Sequence, residues 1–204
     1  MKSFSNKYIF IYSTALVAIV AVVLTVVAVS LKPLQVRNEQ IETKQKILNA
    51  VGIKSTVNDA EALYANNIRE VNLLERDSLP AYLYKDNCII PMRGVGLWGP
   101  IWGYIAFDSE WKVIGAVFDH KGETPGLGGE IATEEFASRF IGKKIVGDDF
   151  NFIPIILKKN ADKSSPYEID AISGGTMTSN GVTEMLRNCL SKYSECFGKR
   201  SGGE

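Results

Sequence analysis

Apolar and polar residues follow one another along this chain in three successive patterns, and each pattern predicts a different kind of structure. Residues 8–31 (YIFIYSTALVAIVAVVLTVVAVSL) carry no ionisable side chain apart from two tyrosines. A helix of that length, rising about 1.5 Å per residue, crosses a hydrocarbon core of roughly 30 Å with a few residues to spare. A secretory signal usually has a shorter apolar region followed by a small-residue cleavage site, whereas this run meets Leu31, Lys32 and Pro33. A buried soluble helix would show a polar stripe. The reading is therefore a single retained membrane anchor. Residues 35–51 continue as a charged helical stretch with apolar positions at Ile41, Ile47, Leu48 and Val51, which predicts a stalk helix. Residues 58–75 form a second helical candidate with Ala62, Leu63, Ile68, Val71 and Leu74 on one face.

From residue 81 onward the period shortens. Apolar or alternating segments at 81–84, 88–92, 103–108 and 112–119 are separated by glycine and proline and read as strands. A helix is expected at 133–140, with Glu134 and Glu135 in the first turn, where the macrodipole favours negative charge. Residues 152–158 and 167–169 are further strands. A last helix from about 180 to 193 places Val182, Met185, Leu186, Cys189, Leu190 and Tyr193 on one side at spacings of three and four. The chain thus reads as α+β: one N-terminal transmembrane helix followed by a single mixed-sheet domain with flanking helices. The expected boundaries are an anchor at 1–34, a stalk at 35–57, the folded domain at 58–197 and a disordered tail at 198–204.

Charge narrows the partners. The 23 Lys and Arg balance 23 Asp and Glu and are scattered among them without any run of five or six like charges, so nucleic acid is not an expected partner. Lys2 and Lys7 lie on one side of the apolar run and Lys32 and Arg37 on the other, so charge leaves the orientation of the anchor open. Cys88, Cys189 and Cys196 are too few and too scattered for a disulfide framework or a CxxC metal site. On one helix Cys189 and Cys196 would lie about 10 Å apart, beyond disulfide reach. His120 is the single histidine and reads as a surface or hydrogen-bonded structural residue.

Candidate chemistry concentrates at residues 170–181, D-A-I-S-G-G-T-M-T-S-N-G, between the last strand and the last helix. Adjacent glycines let successive N–H groups converge on an anion, Ser173, Thr176, Thr178 and Ser179 add hydroxyls, and the following helix contributes its positive end. The segment lacks the G-K-[ST] of a Walker loop, the G-x-G-x-x-G of a dinucleotide fold and the G-x-S-x-G of a hydrolase. The same residues would equally make a glycine-rich turn capping a helix. A second segment, D-H-K-G-E-T-P-G-L-G-G-E at 119–130, places Pro125 before Gly126 in a tight turn. Gly128 and Gly129 would allow close backbone approach to a flat ring. A third, G-V-G-L-W-G-P-I-W-G-Y at 94–104, sets Trp98 and Trp102 among glycines as core packing or as the floor or flank of a pocket.

Asp170, Ser173, Gly174, Gly175 and Thr176 fill the pattern D-x-x-[ST]-G-[AG]-T, and Glu123 to Gly128 fill E-T-P-G-L-G. Together with G-x-G-L-W-G, these resemble the FMN-binding domain of the NqrC family, which are subunits of the sodium-translocating NADH:quinone reductase, and more distantly RnfG of the related Rnf complex. Glycine at 175, where alanine is commoner, is a small departure. The resemblance runs over nearly the whole chain, anchor included. It implies FMN esterified through its phosphate to Thr176 by a separate flavin transferase that uses FAD. It implies contacts to the flavin from Ser173, Gly174, Gly175, Thr178, Glu123, Thr124, Leu127 and Gly128, and a positioning role for Asp170, which also suits a turn. It further implies electron relay among the other subunits of a complex in the bacterial inner membrane, with the N-terminus cytoplasmic and the flavin domain periplasmic.

Overall fold

A computed structural model describes residues 5–73 and 79–197, which fall into two compact units divided between Glu42 and Thr43. In the first unit the apolar run is helical throughout, within α1 (Asn6–Ala50). Its most apolar 18-residue window has a mean hydropathy of 2.8, long and apolar enough to cross a membrane. The hydroxyls of Ser13, Thr25 and Ser30 donate to the carbonyls of Ile9, Ala21 and Val26 four residues back, at 2.9, 2.7 and 2.7 Å. These three hydroxyls are thereby satisfied within their own helix, as a hydrocarbon surrounding demands. The charged stretch expected to continue the apolar run is helical in α1 as far as Ala50, with Pro33 inside the helix.

The second unit is built on an antiparallel meander, β1 (Arg69–Asn72), β2 (Pro80–Tyr84), β3 (Asn87–Val95), β4 (Pro100–Phe107) and β5 (Val113–His120), in sequential order. Register decides what each strand buries. The pairs Cys88↔Phe107, Ile90↔Ile105, Met92↔Gly103 and Gly94↔Ile101 point to one face; Ile89↔Ala106, Pro91↔Tyr104 and Arg93↔Trp102 point to the other. The first face receives the long helix α4 (Thr176–Leu190), whose Val182, Met185, Leu186 and Leu190 are buried with Ile90, Met92, Ile101 and Ile105. Against the second face lie the end of α1, through Ile47, Leu48 and Ala50, and Ile68. A short parallel pair, β6 (Ile156–Lys158) and β7 (Glu168–Asp170), leads directly into α4. The architecture is α+β, with the parallel pair separate from the antiparallel sheet.

The expected helix at 58–75 is shorter. Helix α2 (Ala60–Asn67) ends where the Asn67 side chain donates to the Leu63 carbonyl at 2.8 Å, and Ile68 turns extended to enter β1. The helical period of Ile68 and Val71 loses to the ladder offered by β2, where Val71 pairs Ala81. Leu74 and the tail at 198–204 lie outside the described residues. The helix expected at 133–140 is α3 (Glu134–Ser138), capped by the Thr133 hydroxyl, which accepts from Phe136 N–H at 3.2 Å. Cys189 and Cys196 sit on different elements, α4 and the short α5 (Ser194–Phe197), because a 3-10 turn at Ser191–Tyr193 intervenes.

Candidate functional site

Three segments meet at the N-terminus of α4. Between β7 and α4 the loop is held by its own hydrogen bonds: Gly175 N–H donates to the Ile172 carbonyl (3.0 Å), Ile172 N–H to the Ser179 hydroxyl (3.1 Å) and Ser179 N–H to the Gly175 carbonyl (2.9 Å). Gly174 adopts φ +73°, a left-handed conformation that other residues reach only at a cost. Thr176 is then the first residue of α4 and is exposed, at the positive end of a 15-residue helix.

The second segment is the turn after β5. Leu127 N–H donates to the Thr124 carbonyl at 3.1 Å with Gly126 at φ +75°, which is the type II turn that Pro125 and Gly126 predict. This turn brings Gly128 under the first turn of α4. A Cβ added to Gly128 would stand 2.3 Å from Thr178 Oγ1 and 2.5 Å from Glu123 Oε2, so only glycine fits there. The third segment, residues 96–99 between β3 and β4, closes with Gly96 N–H donating to the Gly99 carbonyl at 2.8 Å.

Glu123 joins all three. Its side chain is only 4% exposed. Oε1 accepts from Trp98 N–H at 2.8 Å and Oε2 from the Thr178 hydroxyl at 2.5 Å, while its own N–H donates to His120 Nδ1 at 3.2 Å. Burial pushes the carboxyl up, but the hydrogen bonds from Thr178, Trp98 and Gly99, together with the nearby His120, outweigh it and hold the group below the usual glutamate value.

Between these segments lies a cleft of about 130 Å³, open to solvent. Its polar floor is Glu123, Thr124, Gly128, Gly174, Gly175, Thr176 and Thr178, and its apolar side is Leu97, Trp98 and Met177. Smaller than a typical small-molecule site, the cleft suits the head of a ligand that projects outward. Trp98, Met177 and Leu127 remain 69%, 60% and 43% exposed around it, an unusual concentration of apolar rim. Lys and Arg are absent from the described lining residues.

Of the residues singled out from sequence, Glu123, Thr124, Gly128, Gly174, Gly175, Thr176 and Thr178 line the cleft. Leu127 reaches its edge, since a Cβ on Gly174 would meet Leu127 Cδ2 at 2.6 Å. Ser173 is exposed and is not among the lining residues. The Asp170 carboxylate accepts from Ala161 N–H at 2.9 Å and its carbonyl from the Arg139 guanidinium at 3.2 Å, which is the turn role. Of the two tryptophans, Trp98 walls the cleft. Trp102 lies on the opposite face of β4, with Lys46 Nζ 5.5 Å from its ring centre. Leu97 and Met177 were not anticipated as lining residues; their exposed apolar side chains beside a glycine motif are the signal that would have marked them.

These features have counterparts in known proteins. A family model described as FMN-binding domain matches residues 96–191, a span that contains all three segments. The NqrC subunit of the Na(+)-translocating NADH-quinone reductase of Pasteurella multocida is 30% identical over 209 residues, covering 78% of this chain and 80% of that protein. The corresponding subunit of Chlamydia caviae is 40% identical over 121 residues, but the match covers only 38% of that longer protein. The crystal structure of the same subunit from Parabacteroides distasonis superposes with a TM-score of 0.71 at 35% identity, covering 80% of this chain and 94% of that one. NqrC from Shewanella oneidensis, at 19% identity and a TM-score of 0.67, shares the fold. The chain therefore belongs to the NqrC family of Na(+)-translocating NADH-quinone reductase subunits and contains its FMN-binding domain.

Proposed function

We propose that this chain carries FMN as a phosphoester on Thr176 Oγ1 and relays electrons as a subunit of a sodium-translocating NADH:quinone reductase. The observation that carries the reading is the selection among hydroxyls at the head of α4. The Thr178 hydroxyl is buried and committed to Glu123, and that of Ser179 is buried and committed to Ile172 N–H. Ser173 is exposed outside the cleft, which leaves Thr176 as the hydroxyl of this helix end that is both in the cleft and exposed; Thr124, which also lines the cleft, belongs to the turn after β5 and lies outside the matched pattern. The charge balance of the site agrees. An FMN monoester carries close to two negative charges, whereas esterification leaves one, which a helix N-terminus can hold without a lysine or arginine in the lining.

In the modification, Thr176 Oγ1 bonds to the flavin-side phosphorus of FAD, the phosphoanhydride breaks, AMP leaves and the hydroxyl proton is lost. A flavin transferase supplies that step. The bound flavin supplies the redox chemistry, and the protein's part is to seat its phosphate, flank its ring with Trp98, Leu127 and Met177, and keep it from diffusing away between redox states. Helix α1 fixes the domain to the bacterial inner membrane, with the N-terminus cytoplasmic and the flavin domain on the periplasmic face beside the other subunits. A denaturing gel under ultraviolet light tests the attachment: fluorescence that survives boiling is expected from the native chain and a dark band from Thr176→Ala. Fluorescence retained in Thr176→Ala would move the bond elsewhere.

A further inference from the structure

We propose that Glu123 is the positioning residue of the flavin cleft, an anionic clasp that ties residues 96–99 to the first turn of α4 and so holds Trp98 as the wall of the site. The inference rests on the flavin reading above and adds a role for a side chain that the cleft buries. Residues 96–99 form an exposed loop, and Trp98, at 69% exposure, has no packed core to fix it. What fixes it is its own N–H, aimed at Glu123 Oε1 at 2.8 Å, and the Gly96 to Gly99 backbone bond. The other carboxylate oxygen takes the Thr178 hydroxyl two residues after Thr176. One side chain therefore sets the distance between the aromatic wall and the helix end that carries the flavin.

Both oxygens act as acceptors, and ionisation makes both bonds charge-assisted. Protonation leaves one oxygen to accept from Trp98 N–H and lets the other donate to Thr178 Oγ1, so the clasp needs two polar groups on this side chain more than it needs the charge. The groups facing Glu123 from the surrounding elements are few among the described residues. His120 comes from the end of β5, and behind it Asp119 accepts from His120 N–H and pairs with Lys46 of α1. Lys121 lies beside it on the turn. Glu130 is engaged by Gly126 N–H at 3.1 Å. From α4 comes the Thr178 hydroxyl, and from residues 96–99 come backbone N–H groups. Glutamine can replace the clasp without charge, its amide oxygen accepting from Trp98 N–H and its NH₂ donating to the Thr178 oxygen, whereas alanine removes it.

The test uses the full chain loaded with FMN in detergent, read by flavin fluorescence, since a tryptophan held against an isoalloxazine ring quenches it. The same chain without flavin is read by acrylamide quenching of tryptophan emission. Native protein and Glu123→Gln are expected to stay quenched at neutral pH, and Glu123→Ala to be bright, with greater acrylamide access to Trp98 in the flavin-free chain. A flavin as quenched in Glu123→Ala as in the native chain, or one as bright in Glu123→Gln as in Glu123→Ala, would overturn the proposal. If Glu123→Ala does not fold, Thr178→Val, which removes one arm of the clasp, takes its place: a brighter flavin is expected, and one as quenched as in the native chain overturns the proposal. If the native chain takes up no covalent flavin, the phosphoester reading fails by itself, and the acrylamide measurement still tests the clasp.

Discussion

Replacing Gly128 with alanine places a methyl group 2.3 Å from Thr178 Oγ1 and 2.5 Å from Glu123 Oε2, the two atoms of one hydrogen bond. Neither can retreat freely, because Thr178 is fixed on the first turn of α4 and Glu123 is also tied to Trp98. The cost has two parts. Losing a charge-assisted hydrogen bond in a buried setting costs about 1.5–3 kcal/mol, and forcing a methyl into a packed contact about 1–3 kcal/mol. The two overlap, since breaking the bond relieves the clash, so a net loss of about 3 kcal/mol is expected. In a domain of this size that lowers the melting temperature by roughly 6–12 °C. The assay is a near-ultraviolet circular dichroism melt of the full chain in detergent, which reports the aromatic cluster of Phe107, Trp111 and Phe197. Repeating it with Thr178→Val should make the Gly128→Ala cost smaller by about 1 kcal/mol or more, the mark of a shared contact. A melt within about 1 °C of the native chain, or strict additivity of the two changes, would refute the close approach as the reason for glycine.

Other outcomes follow from the same contacts. Trp111→Phe removes the indole N–H that donates to the Phe197 carbonyl at 3.0 Å in a fully buried setting, and should cost about 2–4 kcal/mol by the same melt. Leu186→Ala empties the seam between α4 and the sheet and should cost about 2–5 kcal/mol, without changing which peptide carries the flavin. Gly174→Ala strains a φ of +73° and drives a Cβ to 2.6 Å from Leu127 Cδ2; a loss of about 1–2 kcal/mol from the backbone alone is expected, with lower flavin loading measured by absorbance. Acid stability should depend on Glu123. Its folded value lies below the ordinary one, so its contribution is complete above the unfolded value of about 4.3 and disappears as the pH falls through the folded value. Glu123→Gln should therefore melt with a weaker pH dependence than the native chain between about pH 5 and pH 3.

Much of this architecture was legible in the sequence because its signals are local. The apolar run, the alternation in β3 and β4, the Pro125–Gly126 turn and the amphipathic face of α4 each lie within one stretch of chain, and each takes the expected form. What was not legible depends on contacts between distant stretches. Ile68 and Val71 fit a helical period, and only the presence of β2 beside them converts that stretch to a strand. Trp98 and Trp102 look alike among their glycines, and strand parity alone sends Trp102 to the face opposite α4. Glu123 stands out in the sequence only as part of the turn motif, and its carboxylate partners at positions 98 and 178 come from two other segments. Likewise Asp170, the first residue of the matched pattern, gives its carboxylate to Ala161 N–H, a bond set by the path of the loop between β6 and β7.

The most direct measurement is mass spectrometry of the tryptic peptide covering residues 164–187, from the native chain expressed in cells that also make a flavin transferase. A peptide heavier by FMN less one water is expected, with fragment ions that place the addition on Thr176. An unmodified peptide, or an addition that maps to Ser173 or Thr178, would contradict it.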